Sequence, residues 1–230
     1  MRLFVAVYPP PSAVADLTAR TARLRVGTAT AAGLDVRLTQ PAHLHVTLAF
    51  LGEVTPGRLP EVQGALAAAA GTARAGWTHP PRLRLGGGGC FGQGRSTVLW
   101  VDVLGEAPAL RTLARLIRAE LDRAGLPYDG KPFRPHLTVA RPGDRLTPSE
   151  VEADRLALDA HLGPSWPATD LVLVHSRPGP HHTPLTSWPL APRPPARPDA
   201  LPRPAALPRR DGGDTAVSER SDTATSPPLS

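Results

Sequence analysis

His45-Val46-Thr47-Leu48-Ala49 and His136-Leu137-Thr138-Val139-Ala140 are two copies of one pattern, and each precedes a Thr-Pro step, Thr55-Pro56 and Thr147-Pro148, of the kind that opens a helix. Both runs are rich in β-branched and apolar residues and read as strands. In a strand, side chains at i and i+2 share a face, so His45 and Thr47 point one way while Val46, Leu48 and Phe50 point the other. The same alternation sets His136 and Thr138 against Leu137 and Val139. A strand, turn and helix that recur with the same chemistry predict a domain of two similar lobes, with one imidazole and one hydroxyl from each facing a shared cleft.

Outward from the motifs the chain alternates between strand and helix signals. Residues 2–8 form an apolar run that stops at Pro9-Pro10-Pro11, after which Ser12 is placed to cap a helix carrying Val14, Leu17 and Leu24. Residues 35–38 and 43–51 read as extended. Thr55-Pro56 starts a helix that runs through an alanine-rich stretch to about Ala73. Arg82–Leu85 alternates, Gly86–Gly89 breaks or bulges it, and Thr97–Val103 resumes, which together predict a hairpin. From Ala109 to Ala124, Leu110, Leu113, Leu116, Ile117 and Leu121 recur at helical spacing with Gly125 as the stop. Phe133–Ala140 is a strand. Thr147-Pro148-Ser149-Glu150 is a capping box that leads a helix to about His161, and strands at 169–176 and 183–190 close the domain.

The chain has 230 residues, enough for one sizeable domain. Its 29 prolines exceed the usual share of about 5%, so a Pro-rich segment lies outside the core. Beyond Leu190 aliphatic residues nearly vanish and apolar burial cannot offset ordering entropy, which predicts a folded domain over residues 1–190 and a disordered tail over 191–230. The formal charge of +6 invites a polyanion partner, but Lys131 is the only lysine, and the Arg-, Ala- and Pro-rich composition of a GC-rich gene would give the same surplus. Cys90 is the only cysteine, which excludes an internal disulfide. No stretch approaches the roughly 18 apolar residues of a membrane span, and the N-terminal apolar run is too short for a signal peptide, so the expectation is a cytoplasmic monomer.

Two imidazoles across one cleft suit phosphoryl transfer. The side chain titrates near pH 6.5 when unperturbed, so one copy can accept a proton while another donates one close to neutrality. In hydrolysis of a cyclic phosphate, the base takes a proton from attacking water and the acid protonates the departing ribose oxygen. Threonine hydroxyls can donate to the non-bridging oxygens, where charge must be held.

The segments His45–Val54 and Phe133–Arg141 resemble the paired HxTx motifs of the 2H phosphoesterases, in particular the bacterial and archaeal RNA 2′,3′-cyclic phosphodiesterases also known as 2′-5′ RNA ligases. The resemblance extends to Arg2–Val7, to Val98-Leu99-Trp100, and to Leu171–Val174 with Ser176, and covers about residues 1–190. It implies an α+β bilobal fold, each lobe an antiparallel sheet backed by helices, with a central cleft. It further implies catalysis without metal or cofactor on an RNA or nucleotide with a 2′,3′-cyclic phosphate end, giving a 2′-phosphate. By the same resemblance His45 is the general acid, His136 the general base, and Thr47 and Thr138 hold the phosphate. Arg141 matches the arginine that follows the second motif and would grip phosphate as a bidentate donor. Regular alternation sets Arg141 on the side of Leu137 and Val139, so reaching the cleft requires the chain to turn at Pro142-Gly143.

The pattern departs from the family in the last strand pair, where an aromatic residue is usual and this chain has His181-His182-Thr183. His43 alternates onto the face of His45 and is expected at the periphery of the cleft. Three other readings stay open. His43, His45, His181 and His182 could ligate a metal, although acidic or cysteine co-ligands at characteristic spacing are missing. The cleft could grip RNA without turnover. The same groups also serve other phosphodiesters, such as a 2′-5′ linkage or ADP-ribose 1″,2″-cyclic phosphate, or the ligation of 2′-5′ ends, with the choice made in loops such as Gly86–Gly94.

Overall fold

Strand β1 (Arg2–Val7) absorbs the first apolar run, and its Leu3 to Val7 side chains are all at most 2% exposed, as a strand covered on both faces requires. It pairs antiparallel with β3 (Val46–Glu53) on one side and with β8 (Asp170–Arg177) on the other, and β8 continues into β9 (His181–Pro189). The second half of the sheet holds β4 (Arg82–Phe91), β5 (Val98–Gly105) and β6 (His136–Arg141), with two-residue strands β2 (Arg37–Leu38) on β6 and β7 (Trp166–Pro167) on β4. The computed structural model describes residues 1–179 and 181–192. The expected tail falls, but for its first two residues, outside them.

The two halves are one continuous antiparallel sheet in the order β7-β4-β5-β6-β3-β1-β8-β9. They join where β3 meets β6, through the single residue pair Val46 and Leu137, so the two motif strands lie side by side at the seam. Helices cover one face and exchange halves. Helix α1 (Pro11–Ala22) follows β1 yet packs on α2 (Arg25–Ala31) and β4, and α4 (Ala107–Arg123) follows β5 yet packs on β3 and on α3 (Leu59–Ala75). Helix α5 (Pro148–Asp159) closes over β4 and β5. One apolar core runs beneath all of them, through Leu3, Val5, Val46, Leu66, Leu113, Leu137 and Leu158. The α+β class is as the resemblance implies, and the two similar sheet halves are as the repeated motif predicts.

Several local expectations change. Ser12 does not cap α1; Pro11 occupies the first helical position and Pro10 the cap, with no side-chain bond. Thr55 does not cap α3 either, since a 3-10 turn, Pro56–Arg58, intervenes. Only the second Thr-Pro step is a capping box: Thr147 N–H donates to Glu150 Oε2 at 2.8 Å and Glu150 N–H to Thr147 Oγ1 at 3.3 Å. The region after Leu17 contains a separate helix, α2, whose N-terminus is capped by the buried Asp154 of α5, accepting from Arg25 N–H and Val26 N–H at 2.8 and 2.9 Å.

The glycine run does not end a strand. β4 continues through it with a bulge between Leu85 and Gly88, where Gly87 takes φ 77°. A Cβ on Gly88 would stand 2.0 Å from the Arg155 carbonyl oxygen, so α5 lies directly on the strand. One on Gly89 would stand 1.9 Å from the Trp100 indole, which crosses the strand there.

Candidate active site

The face of the sheet away from the helices carries the motifs. Because Val46 and Leu137 are opposed and both fully buried on the helix side, antiparallel register sets His45 against Thr138 and Thr47 against His136 on the other face. Val46 and Leu137 thus each sit between a histidine and a threonine, and the four polar side chains cluster over the seam.

Each imidazole is anchored the same way. His45 Nδ1 lies 2.6 Å from the carbonyl oxygen of His43, and His136 Nδ1 lies 2.7 Å from that of Arg134. A carbonyl only accepts, so Nδ1 donates in both, and Nε2 is the atom left to exchange a proton. His45 begins one residue before β3, at the exit of a 3-10 turn Pro41–His43, rather than inside a strand starting at 43.

The surroundings of the two rings differ. Phe4 stacks on His45 at 4.8 Å between ring centres, Tyr8 lies at 5.6 Å, and His182 meets it edge-on at 5.4 Å. His182 also lies 5.1 Å from His43. Burial chiefly, and then repulsion from His182, His43 and His136, push the His45 imidazole down to about 4 against the opposing bond to the His43 carbonyl. His182 is lowered as well, by burial first and then by His43, and burial raises the Tyr8 hydroxyl. On the other half, Trp100 and Phe91 lie edge-on to His136 at 5.8 and 5.0 Å. The Arg134 guanidinium stands 4.1 Å over the Trp100 ring and 3.6 Å from Asp102.

Matching bulges bring further residues to this face. Along β1, Val5 pairs with Ala49 and Ala6 with Thr47, leaving Leu48 unpaired; along β5, Leu99 pairs with Ala140 and Trp100 with Thr138, leaving Val139 unpaired. The bulge falls three residues after the histidine in both motifs. Leu48 and Ala49, and likewise Val139 and Ala140, are therefore all buried in the helix-side core, and alternation resumes one step out of phase. Phe50 returns to the cleft face, 45% exposed and 5.7 Å from Phe4, not to the helix side as regular alternation predicts. Arg141 stands at the same offset after His136, so the bulge, rather than a turn at Pro142-Gly143, restores it to the parity of His136 and Thr138. Its cross-strand partner is Arg37. Neither arginine is in an ion pair among the described residues, so two cations stand directly opposed on one face.

Residues the sequence left aside are thus part of the cleft: His43 and His182, set down as peripheral or as a loss of stacking, and Phe50, Phe91 and Arg37. Among the described residues no three His, Cys, Asp or Glu side chains converge as metal ligands. No helix among the described residues is long and apolar enough to cross a membrane.

Known proteins are similar to this chain in sequence and fold. Residues 9–180 match the 2′-5′ RNA ligase superfamily. The RNA 2′,3′-cyclic phosphodiesterase of Thermus thermophilus is 30% identical over 202 residues, spanning 83% of this chain and 90% of that protein. The enzyme of that name from Geobacillus stearothermophilus is 33% identical over 154 residues, 66% of this chain, but this covers only 47% of the relative. The fold superposes on the crystal structure of TT0787 from Thermus thermophilus with a TM-score of 0.60 at 28% identity, over 83% of this chain and 98% of that one. It superposes on Escherichia coli LigT complexed with 3′-AMP with a TM-score of 0.56 at 26% identity, over 82% and 97%. With paired motif strands at the seam of one sheet and a family match across most of its length, the chain belongs to the 2′-5′ RNA ligase superfamily.

Proposed function

We propose that this protein hydrolyses RNA 2′,3′-cyclic phosphate ends to 2′-phosphates, without a metal, using His45 as general acid and His136 as general base. The observation that carries the reading is the mirrored anchoring of the two rings, Nδ1 to the carbonyl two residues upstream, which leaves one Nε2 from each half of the sheet for proton transfer. His136 Nε2 takes a proton from water as its oxygen bonds to phosphorus. The P–O3′ bond breaks, and His45 Nε2–H delivers a proton to O3′. Thr47 and Thr138 donate to the non-bridging oxygens, and Arg141, with Arg37 beside it, faces the remaining charge. The exposed Phe50 ring is a platform on which the base of the terminal nucleotide can stack.

An acid must be protonated when substrate is bound, yet free His45 titrates near 4. A phosphate anion beside Nε2 favours the imidazolium and raises that value, so the substrate itself arms the acid. The relatives named RNA 2′,3′-cyclic phosphodiesterase support the substrate class.

The test is a defined RNA 2′,3′-cyclic phosphate turned over by the purified protein in EDTA, with the position of the product phosphate assigned. A 2′-phosphate is expected, and His45→Ala and His136→Ala should each lower kcat at least about a hundredfold. Near-native turnover in either variant, or none in the wild type, overturns the proposal.

A further inference from the structure

The loop that joins α4 to β6 runs back along the helix it has just left. Arg111 Nη1 donates to the Phe133 carbonyl at 3.4 Å, and Arg118 Nη2 to the Lys131 carbonyl at 2.6 Å. The same loop also touches the cleft. Asp129 N–H donates to the Phe50 carbonyl at 2.7 Å, and the Arg134 carbonyl anchors His136. One strip of chain therefore links α4 to Phe50 and to the second motif histidine.

Positive charge gathers along this strip. Arg111, Arg115 and Arg118 recur at i, i+4 and i+7 and so share one face of α4. None of the three is in an ion pair among the described residues. Lys131, the only lysine of the chain, stands on the loop with 85% of its side chain exposed. The carboxylates nearby have partners of their own: Asp129 lies 3.5 Å from Lys131, Asp102 lies 3.6 Å from Arg134, and Asp122 accepts the Tyr128 hydroxyl.

In the reaction proposed above, on which this inference rests, the nucleoside that carries the cyclic phosphate lies against Phe50. Its 2′ and 3′ oxygens are both in the phosphate ring, so the RNA continues only through its 5′ carbon. The preceding nucleotides must leave over a rim of the cleft, and the rim bonded to Phe50 is this loop.

We propose that Arg111, Arg115, Arg118 and Lys131 form a track for the phosphodiester backbone upstream of the cyclic end, which makes the protein selective for single-stranded RNA oligonucleotides over cyclic mononucleotides. From Arg111 to Arg118 the helix rises about 10 Å. At roughly 3.4 Å per phosphate along a stacked strand, that length faces about three phosphates. Contacts to phosphate carry no base information, so the selection is for length and not for sequence.

The full chain is assayed on adenosine 2′,3′-cyclic phosphate and on a ten-nucleotide RNA ending in the same group, each over a series of salt concentrations. In the wild type, kcat/KM for the longer substrate should be at least about tenfold higher at low salt. Its logarithmic salt slope should be steeper by about 2, at about 0.7 for each phosphate held on a single strand. In the triple variant Arg111→Gln, Arg115→Gln, Arg118→Gln the preference should fall at least about tenfold and the two slopes should converge. Taking the ratio of the two substrates divides out any disturbance of His136 through the loop. Arg115→Gln alone, whose hydrogen bond is to Thr112 and not to the loop, should reduce the slope difference by about 0.7. Removing charge at the start of α2 instead, with Arg23→Gln and Arg25→Gln, should leave the difference in place. Equal slopes in the wild type, a difference that survives the triple exchange, or one lost equally in the α2 variant overturns the track while turnover of the mononucleotide leaves the hydrolase reading intact. A wild type that turns over neither substrate removes both.

Discussion

Val46 sits directly opposite Leu137, and this one pair joins the two halves of the sheet. Both side chains are fully buried, and each separates a histidine from a threonine on the opposite face. The width of the cleft is therefore set by packing on the helix side. Leu137→Ala should cost about 2–5 kcal/mol, read as a fall in the urea midpoint, because the rigid strands on either side cannot collapse into the space. Leu137→Met, of similar volume, should cost less than about 1.5 kcal/mol. Equal and small losses in both would show that the seam is held by something other than this contact.

The alternation of Val46 with Thr47 and of Leu137 with Thr138 was enough to read the face shared by the motif histidines and threonines, because a two-residue period survives any tertiary arrangement that keeps the strand. The bulges at Leu48 and Val139 were not legible. A bulge is a mismatch between a strand and its neighbour, and nothing in Leu48-Ala49 or Val139-Ala140 alone specifies the count of residues on β1 or β5. Phe50 was misplaced for that one reason, and for Arg141 the bulge takes the place of the turn expected at Pro142-Gly143. The glycines at 88 and 89 read as a break because their cause lies elsewhere in the chain, in the Arg155 carbonyl and the Trp100 ring. His182 is likewise joined to His43 and His45 only by the pairing of β9 with β8 and of β8 with β1.

The group of imidazoles around His45 makes its titration a handle. Its value near 4 lies below the usual 6.5, so between these limits the unfolded chain binds the proton that the folded one refuses. Stability is then lost as pH falls from about 6.5 to about 4 and is flat below. At about 1.4 kcal/mol per pH unit the loss is at most about 3.5 kcal/mol, and less because water reaches part of the ring. His182→Ala removes one repelling neighbour and some of the burial, so His45 should titrate higher, visible by NMR, and the acid limb of kcat/KM should move to higher pH. A limb that stays in place would mean that His45 does not set it.

Arg141 and Arg37 are cross-strand partners, and neither is in an ion pair among the described residues. If a phosphate is what they await, Arg141→Ala should raise KM for a cyclic phosphate by about tenfold or more, and Arg37→Ala should do so by less. Loss of either should also flatten the salt dependence of KM, since screened attraction to the anion is part of what each supplies. Anion binding should in turn stabilise the fold, so phosphate should raise Tm in the wild type and by less in Arg141→Ala. An unchanged KM in both variants would separate these arginines from the substrate.

Gly89 is a small residue with a large consequence for His136. An alanine methyl there would enter the space of the Trp100 indole, so the ring must tilt, and with it go the supports of Phe91 and Arg134, whose carbonyl anchors His136. Gly89→Ala should therefore cost about 1–3 kcal/mol in stability, as overpacking does, and change the near-UV spectrum of Trp100. It should also lower kcat at least about tenfold, although residue 89 touches no substrate. Because the collision is with the indole, replacing Trp100 by Leu should relieve it. The stability cost of Gly89→Ala measured in that background should shrink to a fraction of its value in the parent, giving a coupling of about 1 kcal/mol or more between the two sites. Full additivity would mean that the strand backbone, not the ring, resists the methyl group.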